Sequence, residues 1–368
     1  MPAGDWEFRW SSANGTQYNL PCIDERKISF KLNQAGSCEL TVPLRTDVGR
    51  HIALGDGWGY ILAYKNNTLR MVLETISTDV GPASSEGIPS VAIVGTESAY
   101  MRAAGIILAT SAPYSFPAAP ASQVGVNLAT LLTANPTWGI GADFPGVTPV
   151  IGASLFDTGI DLLSLIQAVA FRATGFDFRF NPVFTNLGPG QQIVGNFQSA
   201  STIGVTRGDC VFEYGNDTRA NLTSFSWKRI AGENLVNNVY VPSNATSAGN
   251  VAGTAGAGDL TSALTYGSRM RWITADFDDF ALRADLAADH VAFRKQPRRM
   301  LSITPNADMD LGNVPVPLEE YGIGDKVPVL IKDDGITLVS GTLRVYGLNF
   351  TIDKDGKENV EIETSPET

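Results

Sequence analysis

The C-terminal stretch, residues 324–364, constrains the fold more than any other part of the sequence. Apolar and polar residues alternate along it with the period of two that marks β-strands with one buried face. The alternation slips by one residue at Gly347, which predicts a β-bulge, and 353–356 (Asp-Lys-Asp-Gly) has the composition of a tight turn. With a further strand over 327–331, ended by a turn at 333–335, this stretch predicts a small barrel or sandwich of short strands.

The length and charge of the chain limit its class. The sequence has 368 residues, and one hydrophobic core rarely serves more than about 300, so we expect two or more domains. Its 37 glycines and 20 prolines predict many turns and few long helices. The formal charge of −11 disfavours sequence-independent binding to nucleic acid and would suit a channel that nucleic acid passes without adhering.

The cysteines and the N-terminus carry little targeting information. Cys22, Cys38 and Cys210 are odd in number and far apart, so no disulfide framework follows from them, and Cys38 is expected to be a buried thiol. The N-terminus lacks a basic-then-apolar signal, and no apolar run approaches the roughly 18 residues of a membrane span. Synthesis and folding in a cytoplasm is therefore the expectation.

Residues 1–110 are predicted to form a first β-barrel domain. Asn14-Gly15 and Asn66-Asn67 mark hairpin turns, and a short helix is expected over 98–104. The alternation predicts strands over 6–10, 28–32, 38–42, 60–64, 69–76 and 91–94.

Residues 111–207 are predicted to be an α+β insert. A Pro- and Ala-rich linker over 112–120 precedes a predicted helix over 123–134. The clearest helix spans 158–174, with Asp157 or Thr158 as its cap and Gly175 just past its end. Alternating phenylalanines over 176–180 predict a strand directly after it.

The remainder is predicted to be a second, discontinuous β-barrel, over 208–245 and 312–365, interrupted by a β–α–β insert over 246–311. A small-residue stretch at 243–258, which leads into the insert, is predicted to be a loop, and within the insert a helix over 276–294 is ended by Pro297. The predicted strands of this region are 210–214, 222–227, 235–241, 266–273 and 300–304.

One pattern occurs twice in the chain. An apolar strand, a Lys-Asx-Asx turn, a longer strand, a polar turn and a final strand occur over 60–94 and again over 327–362. Identity between the copies is slight, but the pattern fits a duplicated β-module.

The sequence contains no recognisable active site, cofactor site or metal site. Its two histidines, His51 and His290, are far apart, and no HExxH motif, Cys/His cluster, Walker loop, GxGxxG or GxSxG is present. Acidic residues do cluster, at 276–279, at 308 and 310, and at Glu319-Glu320; those at 276–279 are interpreted as helix-capping residues. The Asp353 segment is interpreted as a turn rather than a calcium loop, and Arg207-Gly208-Asp209 as a loop between domains.

The motifs together resemble the hub family of phage tail tips and baseplates, which includes the T-even baseplate hub. The early part of the resemblance comprises KISFKLNQAGSCELTVP, YILAYKNN, LRMVLETIS and TESAYMRAAG. The middle part is TGIDLLSLIQAVAFRATGFDF, and the closing part comprises YGSRMRW, the 276–294 helix, RRMLSITPN, GIGDKVPVLI and LRVYGLNFTIDKDGKENVEIE. Residues 111–155 and 243–262 match nothing in that pattern.

The resemblance implies a structural virion protein of the minor tail protein class. It implies two similar β-barrels per chain with helix-bearing inserts, and a homotrimer whose six barrels form a ring. Such a ring would join a six-fold tail tube to a three-fold fibre or spike and line the DNA exit channel. No C-terminal lysozyme or peptidase extension, which some tail-tip proteins carry, is visible before Thr368.

Two other hypotheses stay open at this point. A cell-wall-degrading tail enzyme could use carboxylates such as Asp276 or Glu319. A carbohydrate-binding adhesin could use aromatic residues such as Trp138 or Trp272, for which core packing is the alternative interpretation.

Overall fold

The computed structural model describes residues 5–12, 15–55, 58–81, 87–107, 114–116, 119–135, 139–142, 150–151, 154–156, 161–170, 176–188, 191–215, 219–230, 235–242, 254–273, 280–306 and 314–366. The chain is mainly β, as predicted, and its largest sheet contains 13 strands drawn from both ends of the sequence.

The first seven strands, which we call the N-terminal half-sheet, follow the predicted alternation. They are β1 (Trp6–Ser11), β2 (Gln17–Asn19), β3 (Arg26–Lys31), β4 (Ser37–Pro43), β5 (Tyr60–Lys65), β6 (Thr68–Gly81) and β7 (Ser90–Glu97). The helices of this region are α1 (Asp47–Leu54) and α2 (Ser98–Gly105). Helix α2 was predicted but α1 was not. The start of α1 is fixed by Thr46, whose side chain accepts a hydrogen bond from the Gly49 amide.

The next elements, which we call the middle insert, pack on the outer face of that half-sheet. They are β8 (Tyr114–Phe116), β9 (Ala119–Pro120), α3 (Ala121–Thr133), β10 (Ile140–Ala142), β11 (Val150–Ile151), β12 (Ser154–Phe156), α4 (Leu162–Ala170), β13 (Asp177–Gly188) and β14 (Gln191–Ala200). Helix α4 begins later than predicted because Asp161 caps it, accepting from the Ser164 amide at 2.8 Å. The predicted caps Asp157 and Thr158, and the predicted end at Gly175, lie outside the described residues.

The C-terminal elements complete the chain. They are β15 (Phe212–Tyr214), β16 (Leu222–Ile230), β17 (Asn238–Val241), β18 (Ala255–Gly258), α5 (Leu260–Tyr266), β19 (Met270–Trp272), α6 (Phe280–Arg294), β20 (Arg298–Pro305), β21 (Lys326–Asp333), β22 (Ile336–Ile352) and β23 (Glu358–Pro366). We call β15, β16 and β20–β23 the C-terminal half-sheet, and β17–β19 with α5 and α6 the small insert.

The small insert differs from the predicted β–α–β unit. Strand β17, predicted within the second barrel, pairs instead with β18 and β19, whereas β20 leaves the insert and pairs with β16 and β23. Residues 255–258, predicted as loop, form β18, because their small side chains let α6 pack closely over the sheet, with Ala255 and Ala287 fully buried. Residues 260–266 form α5, whose cap Asp259 accepts from the Ser262 amide; the predicted strand over 266–273 begins later, as β19 at Met270.

The two half-sheets share one strand order. Hydrogen bonding links the first in the order β1-β5-β6-β7-β4-β3 and the second in the order β15-β21-β22-β23-β20-β16. The chain visits corresponding strands in the same sequence. One difference is that β1 runs antiparallel to β5, whereas β15 runs parallel to β21.

Local irregularities also recur at corresponding places. The turns after β5 and β21 both use positive φ, at Asn66 and Asn67 in one and at Asp334 and Gly335 in the other. Each hairpin has a register shift just before its turn, at 63/64 and at 331/332. Each long strand then carries a bulge against the next strand, at 75/77 and at 345/347, which confirms the bulge predicted at Gly347.

The hydrophobic core is shared between the half-sheets. One cluster runs through both, and Trp6, Phe30 and Phe350 meet within it, with ring centroids 5.2–6.5 Å apart. Strand β5 is buried on both faces, since Ile61 and Ala63 enter this cluster while Tyr60 and Leu62 enter a second cluster beneath the middle insert. A third, smaller cluster lies under α6.

Candidate functional site

Of the acidic residues that could have carried chemistry, those that the structure describes are engaged in local hydrogen bonds. Glu319 accepts a hydrogen bond from the Asn66 side chain, and Glu320 accepts one from the Val316 amide at 2.5 Å, so the two carboxylates belong to loop contacts. Asp353 accepts from the amides of Asp355 and Lys357, as a turn requires, which confirms the turn interpretation. The acidic residues at 276–279, 308 and 310 lie outside the described residues.

The two histidines and Arg207 of the Arg-Gly-Asp tripeptide form no common site; each has its own local contacts. The His51 ring contacts the Trp10 ring edge to face, with centroids 5.2 Å apart. Burial, and then the charges of Arg294 and Arg271, lower the pKa of His290. Within the described ranges, no group of three or more His, Cys, Asp or Glu residues could hold a metal ion. Arg207 of the Arg-Gly-Asp tripeptide pairs with Asp325 at 3.2 Å.

None of the three cysteines, all of which the structure describes, forms a disulfide. Burial raises the pKa of Cys38 and of Cys22 to about 12, which keeps both thiols protonated at neutral pH. Cys38 is buried, as predicted. Among the described helices, none is both long and apolar enough to cross a lipid bilayer.

The most distinctive feature is the junction where the half-sheets meet. Strand β22 pairs with β3 in antiparallel register from Gly347 opposite Lys31 to Ile352 opposite Arg26. Strand β22 can do this because β21 covers only its first part, which leaves its second part free on that side. Phe350 stands opposite Ile28, and both are almost fully buried, so the junction is an apolar seam.

A buried ion pair lies beside this seam. Lys65 donates to Glu358 at 2.9 Å and to the Pro317 carbonyl at 3.2 Å, and its side chain is 1% exposed. The Trp6 indole donates to the second oxygen of Glu358 at 2.6 Å, and the Lys65 ammonium lies 5.0 Å from the centre of the Phe350 ring. The pair ties the turn end of β5 to the start of β23, joining the two half-sheets.

A second buried carboxylate links the middle insert to both half-sheets. Asp177 in β13 accepts from Arg344 of β22, from the Ile203 amide at 2.8 Å and from the Asn33 side chain at 3.3 Å. Burial lowers the pKa of Arg344, but the hydrogen bond and charge of Asp177, together with Tyr346, more than offset this effect, so the pKa is raised. No sequence pattern predicts either buried pair, since a lysine before a turn and an aspartate at the start of a strand are common at exposed positions.

Asn221 ties β15 to β16 in the C-terminal half-sheet. It is 3% exposed; its side chain donates to the Val211 carbonyl and accepts from the Glu213 amide, both at 2.8 Å. Its own amide donates to the Glu213 carbonyl. These bonds bring the two ends of the path β15-β21-β22-β23-β20-β16 together.

Two strand edges occupy positions equivalent to those of β22 and β3 in the junction, but no described strand pairs with them. The second part of β6 extends past β5 and exposes Ile76 (51%) and Val80 (55%). Strand β16 pairs only with β20 among the described strands and exposes Trp227 (44%). Apolar side chains on an open edge are unusual for a protein that stays monomeric.

The small insert presents a further exposed surface. Trp272 is 66% exposed and lies against Tyr240 with ring centroids 5.3 Å apart, so the core-packing interpretation of Trp272 is wrong. Both side chains lie on the face of the sheet opposite α6, because α6 packs on the alternate residues Val239 and Val241. Trp138 lies outside the described residues.

A cavity of about 660 Å³ lies between the N-terminal half-sheet, β13 and the loop before β21. Its wall includes Arg70, Glu97 and the buried phenols Tyr100 and Tyr321. Glu97 accepts from the Gly36 amide at 3.1 Å, and burial raises its pKa to about 8. The walls mix both signs of charge and define no ligand class.

Comparison with known proteins identifies the fold. No protein-family model matches the chain, and no curated protein matches it. Solved structures do match over nearly its whole length. The tail protein from Neisseria meningitidis MC58 is 13% identical with a TM-score of 0.57, covering 98% of this chain and 97% of that one.

Two further tail proteins agree. The 43 kDa tail protein of prophage MuSo2 from Shewanella oneidensis is 12% identical with a TM-score of 0.57, covering 98% of each chain. Prophage tail protein gp18 from Listeria monocytogenes EGD-e is 12% identical with a TM-score of 0.53, covering 98% of this chain and 94% of that one. The resemblance to phage tail proteins that the sequence motifs indicated is therefore confirmed at the level of the fold: the chain has the fold of phage tail proteins.

Proposed function

We propose that the protein is a non-enzymatic structural subunit of a phage tail tip. Three copies form a hub ring that joins a six-fold tail tube to a three-fold fibre or spike, and the lumen of the ring lines the path of the DNA. The subunit is made in the host cytoplasm and resides in the virion, with tube proteins above it and fibre or spike proteins below it.

The shared strand order of the two half-sheets carries this proposal. It supports two similar small barrels per chain, the first within residues 1–110 and the second within 208–230 and 298–366, with the remaining segments as inserts. The recurring turns and bulges are what duplicated modules would share, because bulge positions fix register and side-chain facing.

Duplication gives the symmetry its physical basis. Three copies of a chain with two like modules present six near-equivalent surfaces, while the inserts repeat only three times. One face of such a ring can therefore meet a six-fold partner and the other a three-fold partner. The β22–β3 junction supplies the contact between modules in one chain.

The charge of the chain supports the role of the lumen. A net charge of −11 repels phosphate, so DNA could pass such a ring without adhering.

Imaging of tails that carry the protein tests the proposal. We expect three copies around one axis, each contributing two superposable modules to one ring. Another copy number, or modules that do not lie around a common axis, would overturn it.

Two assays separate the alternative functions. Lysis on a cell-wall zymogram that disappears in Glu319→Gln would favour a hydrolase. Binding to host cells that wall sugars compete away, and that Trp272→Ala abolishes, would favour an adhesin.

A further inference from the structure

We propose that successive copies join through two specific strand edges: residues 76–81 of β6 in one copy and β16 of the next. The partner of each edge is thus a second copy of this chain. This inference rests on the proposed ring and specifies which strands close it.

The β22–β3 junction is the template. Strand order makes β6 the counterpart of β22, and β16 the counterpart of β3. Among the described strands, β22 and β3 form one joined pair, and no strand pairs with β6 or β16 on the equivalent sides. A head-to-tail contact between copies would pair them, and a heterologous contact of this kind forms a ring when the rotation between copies closes, as the proposed three-fold ring requires.

Register can be transferred from the template to β6. After the bulges, Thr78 lies opposite Ile93 of β7, just as Leu348 lies opposite Ile362 of β23. Thr78 of β6 is therefore the counterpart of Leu348 of β22, and two residues later in each strand Val80 is the counterpart of Phe350. Strand β22 is two residues longer than β6 between turn and bulge, since 345 − 334 = 11 and 75 − 66 = 9, and an even difference keeps the inward face the same.

The same transfer works on the other edge. Leu40 lies opposite Ile93, and Ile303 lies opposite Ile362, so β4 and β20 align. Two residues earlier in each strand, Cys38 of β4 is then the counterpart of Leu301 of β20. Ile28 is opposite Cys38 and Trp227 is opposite Leu301, which makes Trp227 the counterpart of Ile28.

The transferred register places exposed apolar residues against each other. The buried pair Phe350–Ile28 corresponds to Val80 of one copy opposite Trp227 of the next. These side chains are 55% and 44% exposed, and their intrachain neighbours Val91 and Leu301 face the core. One position along, the Asn349–Ser29 pair corresponds to Asp79 opposite Lys228, a pairing of opposite charges.

Disulfide trapping tests the pairing in the full-length chain. Val80→Cys and Trp227→Cys, prepared as separate proteins and mixed under oxidising conditions, are expected to give a covalent dimer, and the double variant a covalent trimer. Ile336→Cys with Trp227→Cys is the matched control, because residue 336 is 64% exposed but does not belong to either edge. Native mass spectrometry measures copy number in parallel.

The outcomes separate this inference from the proposed function. Covalent trimers at least tenfold above the control support the edge pairing. If native mass spectrometry shows trimers but disulfide cross-linking does not exceed that of the control, the edge pairing is overturned and the hub role is unaffected. Monomers without cross-links at every concentration also overturn it, and imaging of tails then decides the hub role.

A charge exchange gives a second measurement that needs no cysteine. Asp79→Lys or Lys228→Asp alone is expected to weaken assembly at least fivefold, and the double exchange to restore it. If the double exchange assembles no better than either single variant, residues 79 and 228 are not opposite each other and the register is wrong.

Discussion

Replacing Lys65 with methionine tests whether the buried ion pair joins the two half-sheets. Methionine keeps most of the apolar volume but removes the ammonium that bonds Glu358 and the Pro317 carbonyl. Glu358 would then remain buried with the Trp6 indole as its one remaining side-chain donor among the residues described. An unpaired buried charge costs about 3–5 kcal/mol, and because Trp6 still donates we expect about 3 kcal/mol.

The expected thermal shift follows from chain length. Unfolding entropy of about 2.1 cal/mol/K per residue over 368 residues is about 0.8 kcal/mol/K, so 3 kcal/mol lowers the midpoint by about 4 °C. Urea denaturation followed by tryptophan fluorescence gives the free energy directly. The shift should change little with added salt, because the pair is shielded from solvent.

Two further variants make the result interpretable. Lys27→Met is the matched control: Lys27 is 55% exposed and lies 3.5 Å from Glu25, so we expect a loss below about 0.5 kcal/mol. Adding Glu358→Gln to Lys65→Met removes the unpaired charge and keeps an acceptor for Trp6, which should recover about 1–2 kcal/mol. A loss below about 1 kcal/mol for Lys65→Met, or a double variant no more stable than Lys65→Met, would refute the reasoning.

Three other predictions concern single residues. The folded-state pKa of Glu97, about 8, lies above its unfolded value, so protonation of Glu97 favours the folded state. The free energy of unfolding should therefore fall as the pH rises from about 5 to 8. Denaturation midpoints measured over this range should fall less in Glu97→Gln, and an equal fall would contradict this prediction. Asn221→Ala strands two backbone groups and should cost about 2–4 kcal/mol in urea denaturation, whereas a loss below about 1 kcal/mol would argue against its closing role. Gly204→Ala should cost about 3 kcal/mol or more, since φ is +95° and a Cβ would lie 2.3 Å from the Gly324 backbone, while Gly208→Ala, which meets open space, should be neutral in the same assay; equal stabilities would contradict this.

Features decided by neighbouring residues could be predicted from the sequence. The period-two alternation located most strands of both half-sheets, the asparagines at 66–67 located a hairpin turn, and the slip at Gly347 located a bulge. Strand facing, turn conformation and register slips depend on a few adjacent side chains, so they leave a local pattern. The motifs in their order were also enough to indicate the fold of phage tail proteins.

Features that depend on residues distant in the chain could not be predicted from the sequence. The alternation of apolar and polar residues predicts that β17 and β20 are strands, but this pattern does not depend on which sheet a strand joins. The tertiary structure shows that β17 belongs to the small insert and β20 to the C-terminal half-sheet. Likewise, nothing next to Lys65 in the sequence predicts that it forms a buried ion pair with a residue 293 positions away. Strand partners, buried charges and open edges depend on how the whole sheet closes, because long-range contacts are selected by the summed burial of many segments and not by any one of them.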